Sequence, residues 1–351
     1  MKGKGQERSM RHLNPVSAVF LLLSLVGLLL SGMRPTFVVN EVLIRFIRDG
    51  VMVLALIIPI NAGMGLNFAI VVGAMCAQVG LVLAVDLQLT GFTGLLFISV
   101  IGIGLSLLLG ALIGLCLNRV KGKEMISTII IGFLATSIYQ LIFMVGYGTI
   151  IHPHNPEMML SRGIGIRNMI DLQGFRNILD KLWLFRLGEI EIPLFMILLV
   201  LIFAGIVHSI MNTRLGRQLV AVGLDGRKAA MVGIDTEGVR VKAIILSTVL
   251  ACCGHIIYIE NIGMLNVYTA HLNSDIFSCA AILAGGATIF RAGIANALLG
   301  VLLFHSLFIV SPQAGQNVFG NPALGEYFRS FVAYGTIAFA LMMQRQAADR
   351  N

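Results

Sequence analysis

The chain has 351 residues, of which 57% are hydrophobic and 12% charged, with a mean hydropathy of +0.91 and a formal net charge of +8. A soluble domain carries about twice that share of charge, so lipid is the main solvent. The apolar runs are too long for the alternating segments of a membrane β-barrel, and no basic stripe carries the interleaved aromatics of a nucleic-acid surface.

An all-α polytopic membrane protein is therefore expected, with no nucleic-acid partner. A helix needs about 20 apolar residues to cross the hydrocarbon core, so about ten crossings with short connections would use up the chain. Residues 1–14 form a basic tail with Lys2, Lys4, Arg8 and Arg11. The apolar run behind it, 15–33, is long and has no A-x-A site after it, so it reads as a retained first span. Further spans are predicted at 50–61, 66–85, 93–117, 125–146, 192–211, 241–259, 273–288, 292–311 and 326–343, followed by a tail at 344–351. The transmembrane domain is thus 15–343.

Basic residues keep to the cytoplasmic side of a membrane protein. With both termini cytoplasmic, the inner segments are 1–14, 118–124, 212–240, the Arg291 turn and 344–351. They hold Arg119, Lys121, Lys123, Arg214, Arg217, Arg227, Lys228, Arg240, Arg291, Arg345 and Arg350. The extracytoplasmic loop 147–191 is balanced, with Arg162, Arg167, Arg176, Lys181 and Arg186 against Glu157, Asp171, Asp180, Glu189 and Glu191. Residues 34–49 fit poorly: they should lie outside yet carry Arg34, Arg45 and Arg48, and part of them is expected to be an interfacial helix. Spans 2, 3 and 8 are short or interrupted by glycine. Weak segments at matching places in two halves, spans 2–5 and 7–10, point to an inverted repeat.

Polar residues are costly inside a bilayer. Asn61, Asn67, Gln78, Ser127, Thr128, Ser278 and Asn296 are the candidates to line a translocation pathway, although such a residue is more often a helix–helix hydrogen bond than a ligand contact. Asp86, Glu260 and Asp275 fall near predicted span ends and are expected at the interface. His255 and His305 lie within spans; a proton relay would need acidic partners at depth, and none is evident. Gly102, Ser106, Gly110 and Gly114 form a small-residue ladder, for packing within the chain or at a dimer face. Cys76, Cys116, Cys252, Cys253 and Cys279 contain no CxxC and are expected to pack as small hydrophobes, with no disulfide or metal site. No G-x-x-x-x-G-K-[ST] loop occurs, nor any HExxH, GxSxG or paired intramembrane carboxylate, so no catalytic residues are expected.

The stretch 212–242 is long and polar for a connector. Residues 214–222 and 227–232 read as short helices separated by Gly223-Leu224-Asp225-Gly226. It is either a solvated connector or a helix seated in a partner's groove. Its Gly223, Ala229, Ala230, Gly233 and Ile234, followed by Ser247, Ala251 and Gly254, resemble the coupling loop of ABC-importer permeases, in the family serving ribose-type sugars and branched-chain amino acids. Asp225 stands where that family usually has Asn. The run from Ala284 through Gly285 and Gly286 to Gly293 is similar to the family's Gly-Gly turn, with Arg291 in place of a glycine. Asn61 to Asn67, with Gly73, resembles its entrance to span 3, but Phe68-Ala69 replaces Leu-Ser.

The resemblance covers about 50–343. It implies ATPase coupling through Gly223, Asp225, Ala229, Ala230, Gly233 and Ile234, with a re-entrant turn at Gly285 and Gly286. It also implies separate ATPase subunits that hold the ATP and Mg (no cofactor in this chain), a second permease subunit in a homo- or heterodimer, and an extracytoplasmic binding protein. The implied location is a bacterial inner membrane. The expected cargo is a monosaccharide or nucleoside-like solute. A branched-chain amino acid permease, an ion-coupled secondary transporter and a non-transport membrane scaffold are the alternatives.

Overall fold

The computed structural model describes residues 15–161, 163–176 and 178–348. The basic tail 1–14, Arg162 and Arg350 lie outside them. In hydrocarbon every backbone polar group must be satisfied within its own segment, and a helix achieves this. Accordingly the described residues are mostly helical: α1 (Pro15–Ser31), α2 (Pro35–Leu54), α3 (Ile57–Asn61), α4 (Ile70–Asp86), α5 (Gly91–Asn118), α6 (Glu124–Leu141), α7 (Leu194–Asn212), α8 (Arg214–Leu224), α9 (Gly226–Met231), α10 (Thr236–Asn261), α11 (Ser274–Ala284), α12 (Ile294–Phe319) and α13 (Pro322–Ala348). A π-helical turn, Ile142–Gly146, extends α6. Among the described residues five helices are long and apolar enough to cross a membrane: α5, α6 with its extension, α7, α10 and α12; α1, α4 and α11 are shorter and apolar.

The loops gather on two opposite faces. On the first, Asn61 donates to the Ala292 carbonyl (2.7 Å), Lys121 pairs with Glu237 (2.7 Å), Arg240 pairs with Glu124 (2.7 Å), and Ser17 donates to the Ala284 carbonyl (2.8 Å). On the second, Thr36 donates to Glu189 (2.9 Å), Asp86 accepts from the His154 amide (2.8 Å), and Asn317 donates to the Ser31 carbonyl (2.8 Å). There β1 (Met169–Asp171) pairs antiparallel with β4 (Met264–Asn266), and β2 (Leu184–Leu187) forms a hairpin with β3 (Ile190–Pro193). Thus 118–124, 212–240 and the Arg291 turn share one face, and 147–191 lies on the other.

Residues 34–49 are not an interfacial segment. Pro35, well suited to a first helical turn, starts α2, which runs unbroken to Leu54 and packs on α10 and α12. Arg48, Asp49 and Arg45 each meet a side chain from another helix. Arg48 Nε donates to Asn261 Oδ1 (2.5 Å), Asp49 pairs with His305 (2.9 Å), and the Arg45 guanidinium lies 5.5 Å from the Phe308 ring centre. The His305–Asp49 pair also corrects the expectation that no acid lies at depth beside a histidine.

The small-residue ladder of α5 faces α10 within the same chain. A Cβ on Gly102 would lie 2.9 Å from Cys252 Sγ, on Gly110 3.0 Å from Ile245 Cα, and on Gly114 2.9 Å from Val241 Cα; Ser106 between them is fully buried. The two halves also pack reciprocally: α2 against α12, α10 against α5, and α2 against α10. α4 (17 residues) and α11 (11 residues) are shorter than α5, α10 and α12, and most of their residues are buried.

Candidate functional site

Both short helices begin inside the layer. Residues 62–69 turn in from the first face, aided by the positive φ of Gly63 (74°) and Gly65 (72°). Asn67 there donates to Ser247 Oγ (3.2 Å), eleven residues into α10 and so roughly 16 Å along it. Residues 262–273 turn in from the opposite face. His271 there meets Gln78, midway along α4 (2.9 Å), and Asn273 at φ 64° starts α11. At 11 residues α11 is about 16 Å long, half of a bilayer core.

The two helix starts open into one cavity of about 400 Å³. Phe68 and Val71 of the α4 start and Phe133 and Thr136 of α6 form one side. Leu272, Asn273 and Asp275 of the α11 start and Tyr334 of α13 form the other. The cavity is mostly apolar, with polar groups from Asn273, Asp275, Thr136 and Tyr334. Asp275 accepts the Ile276 N–H (2.8 Å), so its charge already occupies the positive end of α11. Asp275 is therefore not at a span end; the irregular segment 262–273 carries it inward. Glu260 and Asp86 do sit at helix ends on the second face, accepting the Leu179 amide (2.7 Å) and the His154 amide (2.8 Å).

None of the seven residues singled out from the sequence lines this cavity. Asn61 joins α3 to the turn before α12 through the Ile57 and Ala292 carbonyls (2.8 and 2.7 Å). Asn67 is buried and also accepts the Ala69 N–H (3.1 Å). Thr128 accepts the Phe68 N–H (3.2 Å) and donates to the Met125 carbonyl (2.8 Å), and so holds the α4 entrance from behind. Ser127 donates to the Lys123 carbonyl (2.9 Å). Gln78 is fully buried between His255 (3.1 Å) and His271 (2.9 Å). Ser278 is buried one turn behind Asp275. Asn296 donates to the Gly285 carbonyl (2.8 Å) and accepts the Gly293 N–H (3.0 Å), clamping the turn between α11 and α12. In that turn Gly286 has φ 87°, and a Cβ on Gly285 would fall 1.8 Å from the Asn296 carbonyl oxygen, so only glycine fits. The residues that do line the cavity carried one signal in the sequence: an Asn-Ser-Asp run inside an otherwise apolar span.

On the first face, 212–240 folds as two short helices. Thr213 caps α8, accepting the Gly216 N–H (3.3 Å). Asp225 caps α9, accepting the Arg227 and Lys228 N–H groups (both 3.0 Å), with the Lys228 ammonium 3.2 Å away. Those contacts, the Lys228 amide first, hold the Asp225 carboxyl below the usual carboxylate range. Asn caps a helix about as well as Asp, which explains why the exchange is mild. Gly223 faces inward: its Cβ would strike the Asn61 carbonyl oxygen at 2.2 Å. Ala229 is buried and Ile234 half-buried, whereas Ala230 is exposed and Gly233 turns the chain at φ 82°. Arg240 is not a loop cation but part of a buried ion pair with Glu124. Leu224, Met231 and Val232 stand 83%, 78% and 76% exposed, and Phe290, which lines one hollow with Leu224, stands 62% exposed. The small residues Gly223, Ala229, Ala230 and Gly233 in the sequence do not signal these exposed apolar side chains.

Among the described residues no three His, Cys, Asp or Glu side chains converge as a metal site, and the five cysteines are free. Residues 38–341 match the family described as "Branched-chain amino acid transport system / permease component". No curated protein and no solved structure matches the chain.

Proposed function

Because the chain belongs to the permease-component family of branched-chain amino acid transport systems, we propose that it is one of two membrane subunits of a bacterial ABC importer in the inner membrane. The observation that carries this is the cavity where the broken helices of both halves begin. Discontinuous helices that meet from opposite faces are how inverted-repeat transporters build a solute path. Ten passes between the two loop faces, with α11 as a half-pass, fit that architecture. The path would run between α6 and α13 and be completed by a second permease subunit, identical or not.

The exposed apolar surface of Leu224, Met231, Val232 and Phe290 docks on a separate ATPase subunit, which holds the ATP and Mg. Closure of the ATPases pushes α8 and α9. Because Gly223 lies against the backbone at Asn61 and Gly63, that push reaches the entrance of α4 directly. The 147–191 face receives solute from an extracytoplasmic binding protein. The cargo is a small polar solute, of monosaccharide or nucleoside type. Asp275, Asn273 and Thr136 suit hydroxyl and amine donors, and Phe68, Phe133 and Tyr334 suit a flat apolar face. A free carboxylate near Asp275 would be repelled, which weighs against an amino acid.

The test is ATP-driven uptake in proteoliposomes with the cognate ATPase and binding protein. Changing Met231 and Val232 together to Glu should leave insertion and folding intact and abolish uptake. Normal uptake by that variant would end the docking assignment. Asp275→Asn should change solute preference or reduce uptake about tenfold without changing the basal ATPase rate.

A further inference from the structure

The hairpin β2–β3 on the second face is amphipathic. In an antiparallel pair, residues directly opposite share a face, and the faces alternate along the strand. The register sets Phe185 opposite Ile192 and Leu187 opposite Ile190, so one face is wholly apolar. The other face has Leu184 opposite Pro193 at its base and then Arg186 opposite Glu191, joined by an ion pair (2.8 Å). Phe185 and Leu187 are 51% and 62% exposed, and Trp183, just before the first strand, is 67% exposed. Water is a poor solvent for so many large apolar groups, and a two-stranded hairpin alone is only marginally stable in it.

The hairpin is held in place at both ends. At its turn, the Asn40 amide of α2 donates to the Glu189 carbonyl (2.8 Å), and Asn40 Oδ1 accepts the Glu191 N–H (3.0 Å). At its base, the Leu194 N–H of α7 donates to the Trp183 carbonyl (3.2 Å), and the Trp183 and Phe195 rings meet edge to face with centres 6.1 Å apart. Trp183 has φ 54°, a left-handed backbone that an aromatic residue seldom adopts and that its surroundings must hold. Those surroundings set its depth. The 19 residues of α7 rise about 28 Å, close to the thickness of a hydrocarbon core. The inner end of α7 passes directly into α8 on the first face, so Leu194 marks the outer edge of that core. Leu198, Leu201, Ile202 and Ile206 leave an exposed apolar stripe along α7, and Leu194, also exposed, continues it to the hairpin. The main packing partners of α7 are α2 and α8, not the α6 and α13 that border the solute groove.

We propose that the hairpin β2–β3 is an interfacial anchor whose apolar face lies on the outer leaflet of the bilayer. The leaflet covers Trp183, Phe185 and Leu187 as a continuation of the lipid-facing stripe of α7, and Arg186 and Glu191 stay in water. The indole sits at the level of the glycerol esters, where its ring is in hydrocarbon and its N–H meets carbonyl oxygens. Because Asn40 fastens the hairpin to α2, the leaflet also fixes the outer end of α2, the helix that joins α10 and α12.

Trp183 is the only tryptophan in the chain, so its fluorescence reports this one place. The full chain is reconstituted in nanodiscs whose phosphatidylcholine carries bromine either beside the glycerol end of its acyl chains or at their far ends. Bromine beside the glycerol end should quench about half of the emission or more, and bromine at the far ends much less, as befits a ring at the interface. Aqueous iodide should quench Trp183 about fivefold less than it quenches free tryptophan amide. Phe185→Asp with Leu187→Asp should abolish bromolipid quenching and restore iodide quenching; both residues are exposed, so the elution volume in detergent should not change. Arg186→Gln with Glu191→Gln, on the other face, should leave both readings as they are. Full iodide quenching without a bromolipid effect, stronger quenching from the chain ends, or bromolipid quenching that survives the double Asp variant would overturn the proposal. So would protection from iodide that appears only with the cognate binding protein, which would assign the surface to that protein. None of these readings requires transport, so they stand apart from the fate of the importer assignment.

Discussion

Gly223 and Gly226 flank the same cap and look alike in the sequence, but their surroundings differ. A methyl on Gly223 meets the Asn61 carbonyl oxygen at 2.2 Å, whereas one on Gly226 meets nothing within 4 Å. Gly223→Ala should therefore cost about 1–3 kcal/mol, as overpacking does, and lower the unfolding temperature in detergent; Gly226→Ala should not. Equal unfolding temperatures would show that α8 does not rest on the α3 loop. Asp225 gives a pH signature. Its carboxyl is depressed in the folded state, so its capping contribution is complete above the unfolded value of about 3.9 and is lost as pH falls through the folded value. Amide exchange at Arg227 and Lys228 should quicken only in acid below that range, relative to a neighbouring reference amide. Asp225→Asn should remove this acid sensitivity while keeping α9 helical.

At the scale of elements, one face of a helix decides what a substitution does. Gly110 of α5 touches the α10 backbone, while Gly104 on another face has nothing within 4 Å. Gly110→Leu would wedge α5 from α10 and should abolish the monodisperse peak on size-exclusion chromatography; Gly104→Leu should leave it unchanged. If both variants behaved alike, the α5–α10 interface would be wrong. The same distinction separates Ala229 from Ala230 on α9. Asp at 229 would bury a charge and disrupt the fold, so only the exposed residues of that helix can test partner docking.

For the molecule as a whole, the Arg240–Glu124 pair fastens the α5–α6 turn of one half to the start of α10 in the other. Both side chains are about 10% exposed, and Arg240 also donates to Asn118 Oδ1 (3.0 Å) and the Leu117 carbonyl (3.3 Å). Arg240→Met alone strands the Glu124 charge and should cost about 3–5 kcal/mol. Adding Glu124→Leu should recover most of that loss in thermal unfolding. A double variant as unstable as the sum of the singles would mean the two residues do not act as a pair.

The sequence alone was enough for a largely helical multi-pass membrane protein, and the short helices expected at 214–222 and 227–232 lie at 214–224 and 226–231. These rest on transfer free energy and capping, which are properties of a local run. It also carried the tight α5 ladder, although not its partner. Residues 34–49 were misread because Arg48, Asp49 and Arg45 are made tolerable by Asn261, His305 and Phe308, more than 200 residues away in the chain. Asp275 was assigned to an interface because depth depends on how 262–273 folds back against Gln78 and Tyr139, which hydropathy cannot register. Asn61, Asn67 and Asn296 are pathway candidates in one dimension; in the structure their amides are hydrogen-bonded to neighbouring backbone and, for Asn67, also to Ser247 Oγ. Local composition sets which segments enter the bilayer, while contacts between distant segments set which polar groups stay open to cargo.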